Sequence, residues 1–262
     1  MKKLMYLALG LALIVGVYSC VSENTDQQQP QSISQDILKK IAALGFSTSN
    51  VVALDNGYLV EEDIFLTDKD LEEQLHADRK HLIIAKEEHY RTTNLVNPQT
   101  ITVSLSGTVN QGFSDAIDHA ISRYNAEGLT INFQRVASGG DINIKIVNTG
   151  QYIASSGFPS GGNPYPEVKY AKKYTTGYSD GFMTTVLAHE IGHCIGFRHT
   201  DYMNRSYSCG TGGNEGDGGV GAIHIPGTPT GPDANSWMLA CLSATTNRPF
   251  TANDKTALNT IY

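Results

Sequence analysis

Eleven consecutive residues, His189-Glu190-Ile191-Gly192-His193-Cys194-Ile195-Gly196-Phe197-Arg198-His199, constrain this chain more than any other part of it. His189 and His193 are four positions apart, so a helix carries both imidazoles on one face, within reach of a single metal ion. Glu190 follows the first histidine, where its carboxylate can take a proton from a water on that metal. Gly196 lets the chain leave the helix with positive φ, which is costly for any residue bearing a Cβ. That turn brings His199 back as a third ligand. Three neutral nitrogens leave one tetrahedral position open, the pattern of a catalytic zinc. A bare HExxH arises by chance in unrelated helices, but three histidines, a glutamate and a glycine at set spacings do so far less often.

At these residues the chain resembles the metzincin metallopeptidases, and the run from His189 to Asp201 is similar to that of the dual-action HEIGH metallopeptidases. The resemblance spans about residues 100–262. It implies an α+β fold, in which a metzincin-like catalytic domain with a twisted mixed sheet, active-site helix and Met-turn follows a small α/β prosegment. Ser236-Trp237-Met238 fits the Met-turn, with Met238 under the metal; an ordinary core methionine is the alternative. Where some metzincins add a tyrosine ligand after that methionine, this chain has Ala240, so the three-histidine site is the better comparison. Thr200, after the third histidine, matches none of the better-known families, and their specificities do not transfer.

The N-terminus has a different character. Lys2 and Lys3 precede an apolar run over residues 4–17, too short to span a membrane comfortably. Cys20 then stands where a bacterial lipoprotein signal is cut and lipidated, although Tyr18 is a loose match and plain secretory cleavage remains an alternative. Residues 1–20 are expected to be a signal peptide, and the mature protein extracytoplasmic, lipid-anchored or secreted. Residues 21–95 carry fourteen acids against seven bases, whereas the whole chain is only −7. Acidity placed there argues against a nucleic-acid partner. Helical spacing over residues 33–44, strands near 51–54 and 58–60 around Asp55-Asn56-Gly57, and a helix from Thr67 to about Lys80 describe a folded unit. It is too small for comfortable independence, and a prosegment is its natural role.

Within it, Leu59-Val60-Glu61-Glu62-Asp63-Ile64 resembles the aspartate-switch segment of astacin propeptides, with Glu62 in place of the usual glycine. The resemblance implies Asp63 as an inhibitory zinc ligand. The alternative is that Asp63 caps a strand or faces solvent.

Residues 96–262 suit one compact catalytic domain. Strands are expected over 101–106, 129–135, 141–147 and near 168–171, and helices over 113–126, 182–195 and 252–260, with 154–162 a loop. Residues 210–221 hold seven glycines with Glu215 and Asp217. They suggest either a calcium site or a flexible substrate-binding loop, and the spacing matches no EF-hand. His119, His224 and Arg198 fall to local structure. After Cys20, the odd set Cys194, Cys209 and Cys241 fits one disulfide and one buried thiol, the pairing undecided.

Zinc on three imidazoles lowers the pKa of water from ~15.7 toward ~7. The expected protein is a monomeric, secreted or surface-anchored zinc endopeptidase made as a zymogen. It binds one zinc, acts on proteins or peptides, and meets a membrane only through its anchor. The alternative is a catalytically inactive zinc-containing lipoprotein that binds proteins or glycans, and the intact Glu190 speaks against it.

Overall fold

The computed structural model describes residues 33–73, 89–216, 219–229 and 231–262. The expected signal segment with Cys20, the continuation of a helix to Lys80, and Asp217 lie outside the described residues. Among those described, no helix is long and apolar enough to cross a membrane.

The N-terminal elements follow their local signals. Helix α1 (Gln35–Ala43) starts at Ser34, whose hydroxyl accepts from the Ile37 N–H. Strands β1 (Val52–Leu54), β2 (Gly57–Val60) and β3 (Ile64–Thr67) form an antiparallel meander, and α2 (Asp68–Glu73) follows directly. Ile41, Leu44, Phe46, Val60, Ile64, Leu66 and Leu71 form its core, against which Phe158 and Val220 pack from the rest of the chain.

Strand β4 (Tyr90–Arg91) opens the second part and pairs antiparallel with the late β10 (Ile223–His224). The main sheet contains β5 (Thr100–Ser106), β6 (Asn132–Arg135), β7 (Ile142–Val147), β8 (Ala154–Ser155) and β9 (Glu167–Ala171), in the order β6-β5-β7-β9-β8. The first four are parallel and the edge strand β8 is antiparallel, so the sheet is mixed as expected. Helix α3 (Gln111–Asn125) connects β5 to β6 and buries Phe113, Ala116, Ile117, Ala120, Ile121 and Tyr124, the stripe of an amphipathic helix. Helix α4 (Asp180–Cys194) is instead buried on every side from Phe182 to Cys194, as a central helix must be. Short α5 (Ser206–Cys209) ends at Cys209, which is disulfide-bonded to Cys241, and Cys194 is a buried free thiol. Helix α6 (Ala252–Ile261) begins with a reciprocal capping box between Thr251 and Asp254.

Two expectations need correction. Ala154 and Ser155 are an edge strand inside the segment read as a loop, because two residues are too few to show a period. In the stretch 129–135 only Asn132–Arg135 is strand, although Leu129 and Ile131 are buried before it.

Candidate metal centre

Helix α4 carries His189 and His193, and the end of that helix delivers His199. Ile195 closes the helix, and the Gly196 N–H donates to His193 O while the Phe197 N–H reaches back to Gly192 O. These are the two bonds of a Schellman motif, with Gly196 at φ 108°. Gly192 serves a different purpose. A Cβ there would lie 2.5 Å from Met238 Sδ and 3.1 Å from Trp237 Nε1, so its bareness admits the Ser236-Trp237-Met238 turn against the helix. Met238 is fully buried, and its carbonyl accepts from the Thr200 N–H.

The three Nε2 atoms converge, His193 lying 3.0 Å from His189 and 3.1 Å from His199. Each Nδ1 is committed elsewhere: His189 to Trp237 O, His193 to Phe197 O and His199 to Glu215 Oε1, all at 2.8 Å. Carbonyls and a carboxylate only accept, so each Nδ1 carries a proton and a neutral ring turns its Nε2 lone pair inward. Lone pairs this close repel unless positive charge lies between them. Tetrahedral zinc bonds of ~2.0–2.1 Å set ligand atoms about 3.3–3.4 Å apart, so the donor set fits a zinc ion.

Asp63 completes the cluster from the turn between β2 and β3. Its Oδ2 is 3.0 Å from His199 Nε2 and 3.5 Å from His189 Nε2, while buried Oδ1 has no hydrogen-bond partner. All four donor atoms lie within 4.8 Å of one another. The turn is unusual, since Glu61 and Glu62 both adopt positive φ, 54° and 74°. Arg205 holds it, donating to Glu61 O at 2.7 Å.

Burial opposes charge on Asp63, yet the adjoining His199 and His189 imidazoles outweigh it and hold the carboxyl well below its usual range. Burial likewise opposes charge on His199, and the Asp63 and Glu215 carboxylates push it well up. His193, buried and beside two other imidazoles, is driven down. The carboxylates of Asp63 and Glu215, on either side of His199, favour positive charge at this cluster. Glu190 is pushed well up by burial and by Asp63, against a hydrogen bond from Ser156 Oγ to its Oε2 at 2.7 Å.

Sequence reasoning missed several participants. Ser156 adjoins edge strand β8. Its N–H donates to Asp63 O at 2.9 Å, and its carbonyl accepts from the Phe65 N–H at 2.8 Å. Glu215 stood out in the sequence only as part of a glycine-rich calcium or substrate loop, and Arg205, just before α5, was hidden. Arg198 is fully buried, with Phe46, Phe158 and Tyr202 rings about its guanidinium. His119 pairs with Asp180 and His224 with Thr228, both away from the centre.

Two histidines on a buried helix and a third from the turn after it, with a glutamate beside the first, fit a metal-dependent hydrolase. The chain belongs to the dual-action HEIGH metallo-peptidase family, whose sequence profile matches residues 58–262. It is accordingly a metallopeptidase with protein or peptide substrates. Among solved structures it is similar to two of myroilysin. One has 18% identity and a TM-score of 0.44, covering 65% of this chain and 82% of that one. The other has 19% identity and a TM-score of 0.43, covering 65% and 86%. No curated protein matches the chain.

Proposed function

We propose that this protein is a secreted or surface-anchored zinc endopeptidase in its latent form. His189, His193 and His199 hold one zinc through Nε2, and Asp63 takes the fourth position. The observation that carries the reading is the convergence of three Nε2 atoms whose Nδ1 atoms are all engaged, with a carboxylate from the N-terminal unit among them.

Zinc bound there supplies a Lewis acid that polarises a peptide carbonyl and acidifies a water. Glu190, steadied by Ser156, accepts the proton of the attacking water and returns it to the leaving amine. Met238 belongs to the Met-turn, which supports His189 through Trp237 O. A substrate strand takes the edge positions of Ser156 that Asp63 and Phe65 hold in the latent form.

The prosegment of this reading comprises the acidic N-terminal unit. It extends to the expected boundary at residue 95 and includes a strap, residues 89–93, bonded to the catalytic part. Tyr90 O accepts from the Arg198 N–H, the Thr92 N–H donates to Gly196 O, and the Thr93 N–H donates to Val220 O. His89 adds a buried 2.7 Å contact to Asp254.

Zinc analysis and casein digestion on the full-length protein, Asp63→Ala and Glu190→Ala test the reading. Unprocessed wild type is expected to be nearly inactive until its N-terminal unit is proteolysed, Asp63→Ala to be active unprocessed, and Glu190→Ala to keep zinc without activity. Equal activity of unprocessed and processed wild type would end the latency proposal, and an active Glu190→Ala the mechanism.

A further inference from the structure

The glycine-rich stretch 210–221 places a fully buried carboxylate where the zinc reading gives it no role. Glu215 is held by its own N–H on Tyr202 O at 2.7 Å, and the neighbouring Gly213 O accepts from the Arg205 N–H at 3.0 Å. Its Oε1 takes the Nδ1–H of His199 at 2.8 Å, and both side chains have zero exposure. Arg205 Nε lies 3.2 Å from Oε1, and Arg198 Nη2 lies 3.7 Å from Oε2. The other two imidazoles rest on neutral backbone carbonyls. One ligand of the three is thus singled out for a charged partner.

We propose that Glu215 is the positioning residue of the third ligand. It fixes the His199 tautomer and ring plane, and it makes Nε2 the most electron-rich nitrogen of the set. This deepens the zinc reading and rests on it. The physical need is local. His189 and His193 are set by one rigid helix, whereas His199 follows a turn and has no helical neighbour to aim it. A hydrogen bond to an ionised acceptor is roughly twice as strong as one to a neutral carbonyl. Two guanidinium groups flank that acceptor. Both arginines belong to the catalytic part, so Glu215 retains them after the N-terminal unit leaves, although Arg205 also holds Glu61 O in the latent form. Gly212 and Gly216, both at positive φ, turn the chain on either side of Glu215.

The test measures zinc affinity of the full-length protein by competition with a chromophoric chelator. Glu215→Gln keeps the shape and an accepting oxygen but removes the charge. It is expected to stay folded by circular dichroism and to bind zinc about 10–100-fold more weakly. Unchanged affinity in a folded Glu215→Gln overturns the proposal. If that variant fails to fold, nitrogen-15 spectra of histidine-labelled wild type decide. The His199 Nδ1 proton is expected furthest downfield of the three ligands, and an unprotonated Nδ1 overturns the proposal. His199→Ala separates the two levels of inference. If wild type binds no zinc, or His199→Ala binds it equally well, the metal assignment itself fails and takes Glu215 with it. If His199→Ala loses zinc while Glu215→Gln does not, only the Glu215 role is lost.

Discussion

The N-terminal unit and the catalytic part are stabilised in different ways. The catalytic part closes its own core, with α3 and α4 packed together and apolar side chains of both helices meeting those of the five-stranded sheet. The N-terminal unit has a handful of apolar side chains, and it completes its core on Phe158 and Val220 of its neighbour. A unit of that size buries too little to be independently stable. Its order is therefore borrowed from the surface that it covers, as the latent form proposed above requires.

The contrast is sharpest where the two regions meet. Glu61 and Glu62 are consecutive non-glycine residues in the left-handed region. Such residues cost on the order of 1–3 kcal/mol each, and they persist where the surroundings over-determine them. Here Arg205 on Glu61 O, the Ser47 N–H on Glu61 Oε1 at 3.1 Å, and the Asp63 contacts do so. Glu62 stands where the resembled segment has glycine, and its φ of 74° is one that glycine adopts without strain.

Substitutions can break or sharpen this contrast. The largest effect is expected from Glu190→Ala, which tests whether the chemistry belongs wholly to the catalytic part. Activity of the processed enzyme on a fluorogenic peptide should fall by about 10²–10⁴, with zinc content and melting unchanged. Next come matched core truncations. Ile41→Ala and Ile144→Ala each delete a fully buried side chain, at a cost of about 2–5 kcal/mol. Hydrogen exchange should show Ile41→Ala loosening only the N-terminal unit, while Ile144→Ala lowers the melting temperature of the catalytic part. If Ile41→Ala lowers that melting temperature equally, the two regions are one cooperative unit and the contrast fails.

A smaller gain is expected from Glu62→Gly. Relief of one left-handed residue, about 1 kcal/mol, should slow amide exchange around β2 and β3 and lower the residual activity of the unprocessed protein about fivefold. Faster exchange would show that the Glu62 side chain contributes more than its backbone costs.

The smallest effect concerns Asp141, which ties two parallel strands of the catalytic part. Its carboxyl is lowered by hydrogen bonds from the Thr102 hydroxyl and N–H, at 2.6 and 2.8 Å. A depressed carboxyl contributes stability above its unfolded pKa of ~3.9, and that stability is lost as pH falls through the lower folded value. Asp141→Asn should therefore cost under about 1 kcal/mol at neutral pH, because solvent screens so exposed a group. In urea titrations the gap to wild type should narrow below about pH 4. A gap that widens in acid would reverse the sign of the argument.

Local rules account for much of the molecule. The spacing of His189, His193 and His199 with Gly196 is enough to specify a helix, a left-handed exit and three convergent imidazoles, because helix pitch and φ preference act within a few residues. Ser34 before α1, the buried stripe of α3 and Thr251 with Asp254 before α6 are legible for the same reason. The disulfide partners, the edge strand at Ala154–Ser155 and the Glu215 carboxylate under His199 are not, since each depends on residues distant in the chain. Gly192 reads in sequence as an ordinary helical glycine, and only the approach of Met238, far along the chain, reveals why no Cβ is tolerated there. Asp63 lies between the two cases. Its neighbours suggested a role, but a carboxylate 126 positions before His189 reaches that histidine only when a small meander docks on a catalytic surface. Sequence determined the local geometry of the metal cassette. Tertiary packing alone decided which charges surround it, because electrostatic partners are chosen by distance in space.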